Sequence, residues 1–394
     1  LKVRGSYGEV GNDQIGGDRF LYLPSSYGAA SDSGVNKYNF GLASNPYTSL
    51  MIVENKIGNP DLTWEKAKKM NVGVDINLFN NCLTASFDIF KEKRNNILAN
   101  RSTSPMIIGA NLPAYNFGEM ENRGWEMDLN FRHHIQDFHY WARFNYSFAR
   151  NEIIYMDEVQ KRYDYQMTTG RRKNQFFGLI FDGYYNSWEE INALDRPKSS
   201  WSGNQLQPGD VKYVDVNQDG VIDDYDMVPI GYTPVPEIIY GFSFGAQYKG
   251  FDFSILFQGA DNVSIKYFGR SMWPFAKGEE SAKSLIKERW TQERYEAGEK
   301  ITFPRLSLNP NGETDHNYRP STLWIRDASY LRLKNLEVGY TFTGGFVKRL
   351  NLNSVRLYFN GSNLFTWTDV VDLDPEAPSR SGNVEINTYP LQKV

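Results

Sequence analysis

Residues 124–132 set Trp125, Met127, Leu129 and Phe131 on one flank of an extended chain and Glu126, Asp128, Asn130 and Arg132 on the other. Alternation of this kind predicts a β-strand with unlike faces. Residues 138–150 repeat it: Phe138, Tyr140, Ala142, Phe144, Tyr146 and Phe148 oppose His139, Trp141, Arg143, Asn145 and Ser147. Earlier, Met70, Val72, Val74, Ile76 and Leu78 oppose Asn71, Gly73, Asp75 and Asn77, and Leu83, Ala85, Phe87 and Ile89 oppose Thr84, Ser86 and Asp88. Further on, Ile238, Tyr240, Phe242, Phe244, Ala246 and Tyr248 share a flank, followed by Phe251, Phe253, Ile255 and Phe257. The last clear rows are Leu336, Val338, Tyr340 and Phe342, then Val355, Leu357 and Phe359. Within 330–342 the apolar phase shifts near Asn335, from Leu331 and Leu333 to Leu336 and Val338, which predicts a β-bulge.

The links carry as much information as the strands. Short turns at Asn80-Asn81, His133 to Asp137, Lys249-Gly250 and, somewhat longer, around Gly344-Gly345 alternate with long connections at 9–60, 94–122, 151–236, 260–329 and 365–389. Strict alternation places every short turn at one end of an antiparallel meander and every long loop at the other. Transmembrane barrels have this asymmetry, with short periplasmic turns and long extracellular loops. Strands of about 9–13 residues suit a tilted crossing of the hydrocarbon layer. A lipocalin-like barrel would turn the same apolar flank inward. Here Glu126, Asp128, Arg143 and Asp252 stand in mid-strand on the opposite flank, as a wet lumen requires. The expected fold is an all-β, antiparallel transmembrane β-barrel with long extracellular loops.

Composition agrees. The 394 residues suffice for one large barrel, and 25 Tyr and 25 Phe favour strands and interfacial belts. A mean hydropathy of −0.55 and the lack of an apolar run near 18 residues exclude transmembrane helices and leave a barrel open. A net charge of −4 gives no electrostatic footing for nucleic acid. The single cysteine, Cys82, rules out an internal disulfide framework. The first residues, Leu1 to Gly8, already read as a strand without a signal peptide, so the chain is expected to be a fragment with its export signal upstream.

Asn59-Pro60-Asp61-Leu62-Thr63-Trp64-Glu65-Lys66, running into Leu78-Phe79-Asn80-Asn81, and Glu121-Asn122-Arg123-Gly124-Trp125-Glu126 resemble two strands of the SusC/RagA-type TonB-dependent outer-membrane transporters. Tyr240-Gly241-Phe242, Lys249-Gly250-Phe251-Asp252 and Phe257-Gln258-Gly259 resemble a family hairpin. Asp327-Ala328-Ser329-Tyr330-Leu331-Arg332-Leu333-Lys334-Asn335 with Gly339-Tyr340 is the most specific segment. Gly361-Ser362-Asn363-Leu364-Phe365-Thr366-Trp367 and Asp372-Leu373-Asp374-Pro375-Glu376 complete the series. The resemblance implies a 22-stranded barrel of which residues 1–394 form the C-terminal portion, about ten strands. The plug domain and first strands would lie upstream, and the last strand would be cut short at Tyr389-Pro390-Leu391-Gln392-Lys393-Val394. It also implies a SusD-like lipoprotein lid, energy from TonB, an oligosaccharide or peptide cargo, and the outer membrane of a Gram-negative, Bacteroidetes-like cell.

Candidate chemistry is sparse. Asp215-Val216-Asn217-Gln218-Asp219-Gly220-Val221-Ile222-Asp223-Asp224-Tyr225-Asp226 fits a calcium loop, with oxygens from Asp215, Asn217, Asp219, Asp223 and Asp226 and the carbonyl of Val221. Asp226 replaces the usual Glu, and an ion-free acidic turn is the plainer alternative. His133, His134 and His139 flank a short turn, where adjacent strand residues diverge. Glu189-Glu190 and Glu279-Glu280 lack the pattern of a glycosidase pair. Trp188, Trp201, Trp273, Tyr184 and Tyr185 sit in long loops, fit for stacking sugar, docking a lid or packing internally. Residues 279–297 have helical spacing at Ala282, Leu285, Ile286 and Trp290. Trp64, Trp125, Trp141 and Trp324 are belt candidates. The expectation is a non-enzymatic importer subunit; the rival is a secreted, soluble β-rich glycan-binding or adhesion protein, with a secreted glycoside hydrolase well behind.

Overall fold

The computed structural model describes residues 1–13, 21–23, 28–29, 37–42, 47–53, 57–103, 112–201, 206–267, 273–275, 284–307, 315–371, 373–376 and 383–384. Nine strands form one antiparallel sheet: β1 (Lys2–Asn12), β2 (Glu65–Leu78), β3 (Leu83–Ala99), β4 (Tyr115–Ile135), β5 (Phe138–Tyr155), β6 (Ile238–Tyr248), β7 (Phe251–Asp261), β8 (Tyr330–Phe342) and β9 (Val355–Thr368). Each pairs only with its neighbours in sequence, so the sheet is a pure meander. The expected tenth strand, at the C-terminus, falls outside the described residues.

The register explains why the alternation matters. One row crosses all nine strands as Lys2, Asp75, Ser86, Asp128, Asn145, Gly241, Gln258, Arg332 and Thr366. The adjacent row reads Val3, Val74, Phe87, Met127, Tyr146, Tyr240, Gly259, Leu331 and Trp367. Pleating turns these rows to opposite faces. The apolar face is open: Val3 and Phe359 are each 68% exposed, and Val72 and Leu357 are also bare. So large an uncovered apolar area suits contact with hydrocarbon rather than water.

On the polar face two charge clusters tie neighbouring strands together. Arg4 donates to Asp75, Ser86 and Asp88 across three strands, and Arg356 binds both Asp252 and Glu337. The two faces are those of a barrel wall with hydrocarbon outside and water within.

One expectation about the strands needs correction. The strands run 11–21 residues, longer than the alternation suggested. Above the apolar span they continue where both flanks are charged, joined by cross-strand pairs such as Lys91–Glu121 at 2.9 Å, Lys93–Glu119 at 2.9 Å and Lys69–Glu92 at 3.3 Å. Backbone pairing needs no apolar flank, so the ladder outruns the pattern. The bulge is where the phase shift put it: Leu333 faces Phe257 and Asn335 faces Leu256, leaving Lys334 without a partner on β7.

The long connections build the chain's main apolar core. Leu179, Tyr184, Val211, Tyr213 and Ile222 from 156–237 pack with Val263, Trp290, Phe303, Tyr318 and Trp324 from 262–329, and with Val370 beyond β9. Short strand pairs hold this lobe, Phe181–Tyr184 against Val211–Tyr213 and Ser264–Tyr267 against Ile325–Asp327. Residues 279–297 do not form one helix. A 3-10 turn at Ser284–Glu288 and a helix at Gln292–Glu296 flank buried Trp290. Trp290 donates its backbone N–H to Phe303 O, and Thr291 caps the second helix, which breaks the run. Ala282 and Glu279-Glu280 lie outside the described residues.

Candidate functional site

The calcium-like loop is built from consecutive turns, each closed by an acidic or amide side chain. Asp215 Oδ2 accepts from Gly220 N at 2.8 Å, Asn217 Oδ1 from Asp219 N at 2.9 Å and Asp219 Oδ1 from Val221 N at 3.0 Å. Gly220 has φ +81°, the left-handed conformation that the sixth position of such a loop requires. Asp226 is fully buried and accepts from Val216 N at 2.9 Å and Asp223 N at 2.8 Å. It thereby ties the end of the loop to its beginning. Burial pushes the Asp226 carboxyl above its ordinary range, and the backbone donors only partly offset this. Asp215 Oδ1 is buried without a hydrogen-bond partner, the kind of orphaned acceptor that a hard cation would satisfy. Among the described residues, no three carboxylate, His or Cys groups stand gathered at ligating distance. Asp219 and Asp223 turn instead to the backbone N–H groups of Val221 and Tyr225.

A second polar cluster, absent from the sequence reading, lies inside the loop lobe. Asp210 accepts from Arg305, from Asn317 Nδ2 at 2.8 Å and from Gln207 N at 2.7 Å. Asn317 Oδ1 in turn takes the Val211 N–H at 2.9 Å. His316 Nε2 lies 2.8 Å from the Val211 carbonyl, so Nε2 carries the proton and Nδ1 accepts from Ser199 Oγ at 3.0 Å. Burial holds the His316 imidazole below its usual pKa. An isolated Asp, Asn or His in a loop gives no warning of such a network, because its partners lie about a hundred residues away.

The remaining candidates disperse. His134 and His139 stack as a cross-strand pair on one face, while His133 sits on the other beside Cys82, with Sγ–Nδ1 at 3.5 Å. Glu190 is held by Lys212 Nζ at 2.5 Å and by Asn186 N at 2.7 Å. Tyr184 and Tyr185 are buried, and Trp201 and Trp273 pack on the lobe core. Only Trp188 of that set is exposed. Of the belt candidates, Trp125 stacks on Tyr146 on the outer face; Trp141 is on the polar face beneath Arg143, and Trp324 is in the loop core. Trp64 stands exposed just before β2.

Where the loops meet the wall, a lumen-side cleft of about 350 Å³ is lined by Glu92, Arg94, Asn122, Asn151, Lys173 and Glu237. Side chains of both charge signs and amides converge there. Such a lining can hold a polar molecule by hydrogen bonds and charge.

The sequence profile described as "TonB dependent receptor-like, beta-barrel" matches residues 1–364. The chain is 28% identical over 392 residues to TonB-dependent receptor P3 of Formosa agariphila, covering 97% of this chain and 36% of that protein. To TonB-dependent receptor SusC of Bacteroides thetaiotaomicron it is 26% identical over 396 residues, covering 99% and 36%. Among solved structures, one of the RagAB peptide transporter superposes with a TM-score of 0.70 at 24% identity, over 99% of this chain and 39% of that one, a likeness of fold. The chain thus spans little more than a third of the length of these relatives.

Proposed function

Because this chain belongs to the TonB dependent receptor-like β-barrel family, we propose that it forms part of the wall and the extracellular mouth of an outer-membrane nutrient importer. The observation that carries the reading is the pair of adjacent nine-strand rows, one apolar and the other polar, turned to opposite faces of the sheet. Such a wall passes hydrophilic cargo through a wet lumen while its outer face rests in lipid. The packed loop lobe above it forms a rigid rim on which a SusD-like lipoprotein lid closes. TonB acts through a plug region outside this chain.

Cargo is an oligosaccharide or a peptide. The similarity to TonB-dependent receptor SusC supports the importer class, and the RagAB peptide transporter, similar in fold, keeps peptides beside oligosaccharides. The lumen-side cleft, with amides and both charge signs, suits either. The deciding experiment deletes the whole gene and follows uptake of labelled oligosaccharides and labelled oligopeptides. Loss of one class identifies the cargo; undiminished uptake of both refutes the importer reading. The soluble rival predicts a protein stable without detergent, contrary to the bare apolar rows.

Calcium is part of the same proposal. Residues Asp215, Asn217, Asp219, Val221, Asp223 and Asp226 would hold one Ca²⁺, led by the orphaned Asp215 Oδ1, with Asp219 and Asp223 rotating inward from their backbone donors. The ion's role would be to staple the long loop 151–236.

A further inference from the structure

Above the aromatic row of β4, β5 and β6 the outer face changes character. Trp125, Tyr146 and Tyr240 stack in sequence, with ring centres 4.8 and 6.5 Å apart. Two residues further toward the long-loop end, Arg123 on β4 stands directly opposite Arg150 on β5, roughly 6–7 Å along the strands. Both belong to the same flank as the aromatic row, the one that meets lipid. Segment 170–175 runs back alongside: Ile153 N donates to Arg171 O, and Gly170 N donates to Ile153 O. It brings Arg171 and Arg172 to the same place. With Glu152 and Gln175, these arginines line an open cleft of about 400 Å³.

The charges there do not cancel. Arg123 reaches Glu152 only at 3.9 Å. Arg150 and Arg172 share Glu237, a carboxylate almost fully enclosed. Among the described residues Arg171 meets no carboxylate within ion-pair distance. Four guanidinium groups against two carboxylates leave an excess of two positive charges. Two guanidinium groups are braced by rings, Arg150 over Phe148 at 5.5 Å and Arg172 over Tyr232 at 5.3 Å. Planar, pre-oriented guanidinium groups match the geometry of phosphate oxygens better than a lysine does.

We propose that this cleft binds the phosphate of an anionic lipid in the outer leaflet, anchoring the β4–β6 wall at a fixed depth. The inference rests on the membrane reading of the wall. The cleft lies just beyond the aromatic row, where headgroups begin. By register its Arg123, Arg150 and Glu152 belong to the outer flank, while Asn151 and Arg172 also border the lumen-side cleft behind it. It is also central in the sheet, with three strands on either side of β4–β6, so an unpaired sheet edge does not create it.

The test uses the full-length protein in detergent micelles and native mass spectrometry. The probes are diphosphorylated lipid A, its dephosphorylated form and inorganic phosphate. The variant is the double substitution Arg123→Gln, Arg171→Gln, which spares the Arg150–Glu237–Arg172 cluster. Wild-type protein should retain the diphosphorylated lipid, and the double variant should bind it about tenfold more weakly. Heat-modifiable migration on gels establishes that the variant barrel is intact. Equal binding by the variant, equal retention of the dephosphorylated lipid, or displacement by inorganic phosphate at matched concentration would each overturn the assignment. Loss of heat-modifiability in the wild type would strike the membrane reading itself, a separable failure.

Discussion

Arg332 on β8 and Asp374 beyond β9 meet at 2.7 Å with both side chains almost wholly enclosed. The same guanidinium donates to Glu376 at 2.7 Å and to Thr366 Oγ1 at 2.9 Å, and Lys334, the bulged residue, also reaches Glu376. This cluster folds the segment after β9 back onto the polar wall. Enclosed charges survive only when paired, so Asp374→Ala leaves Arg332 partly uncompensated. The expected cost is about 3 kcal/mol of local stability, visible as faster hydrogen exchange and proteolysis at 366–376. Unchanged protection would show that Glu376 alone suffices.

Gly124 on β4 stands opposite Ala149 on β5. A Cβ there would stand 2.0 Å from the Phe148 carbonyl oxygen and 2.7 Å from the Phe90 ring. Backbone cannot yield as a flexible side chain can, so Gly124→Ala should cost about 2–3 kcal/mol or more. The measure is the fraction of protein that migrates as heat-modifiable barrel.

The two faces should respond oppositely to charge. Phe244 is exposed on the outer face of β6, and Phe244→Arg should destabilise the inserted barrel by about 2–4 kcal/mol if it lies near the bilayer midplane. Ser254 faces Glu337 across the polar side of β7 and β8, and Ser254→Lys should be tolerated. Urea titration of the protein in lipid vesicles compares them; similar losses would contradict the assignment of faces.

The lobe should weaken in mild acid. His316 is neutral when buried, and its pKa in the fold is below the unfolded value near 6.5. Asp210 and Asp315 favour its protonation and Arg319 opposes it, but burial prevails. The stabilising contribution is therefore complete above pH about 6.5 and declines as pH falls below that value. Hydrogen exchange at 206–213 and 315–324, corrected for intrinsic rate, should show protection falling between pH 7 and 5. His316→Gln should flatten the profile.

Calcium should stabilise the lobe at up to millimolar concentration, the range of extracellular sites. Isothermal titration against chelator-treated protein should give a binding heat that Asp215→Ala removes. No heat and no added protection of 206–230 would leave an ion-free acidic turn.

Much was written in the sequence because a strand's side chains alternate by covalent geometry. Once lipid and water lie on opposite sides, residues such as Phe87 and Ser86 declare their faces without any knowledge of their neighbours. The same logic made the bulge legible, since a phase change between Leu333 and Leu336 has few other causes. The sequence also separated short turns from long connections, and so gave the barrel its two ends. Tertiary structure decided what depends on distant partners: the charged ladder that carries β3–β5 above the apolar span, and the lobe that buries Tyr184 and Trp290. It also decided the network around Asp210 and the return of Asp374 to Arg332. Those contacts join residues tens to more than a hundred positions apart, and no local periodicity encodes which charge will meet which.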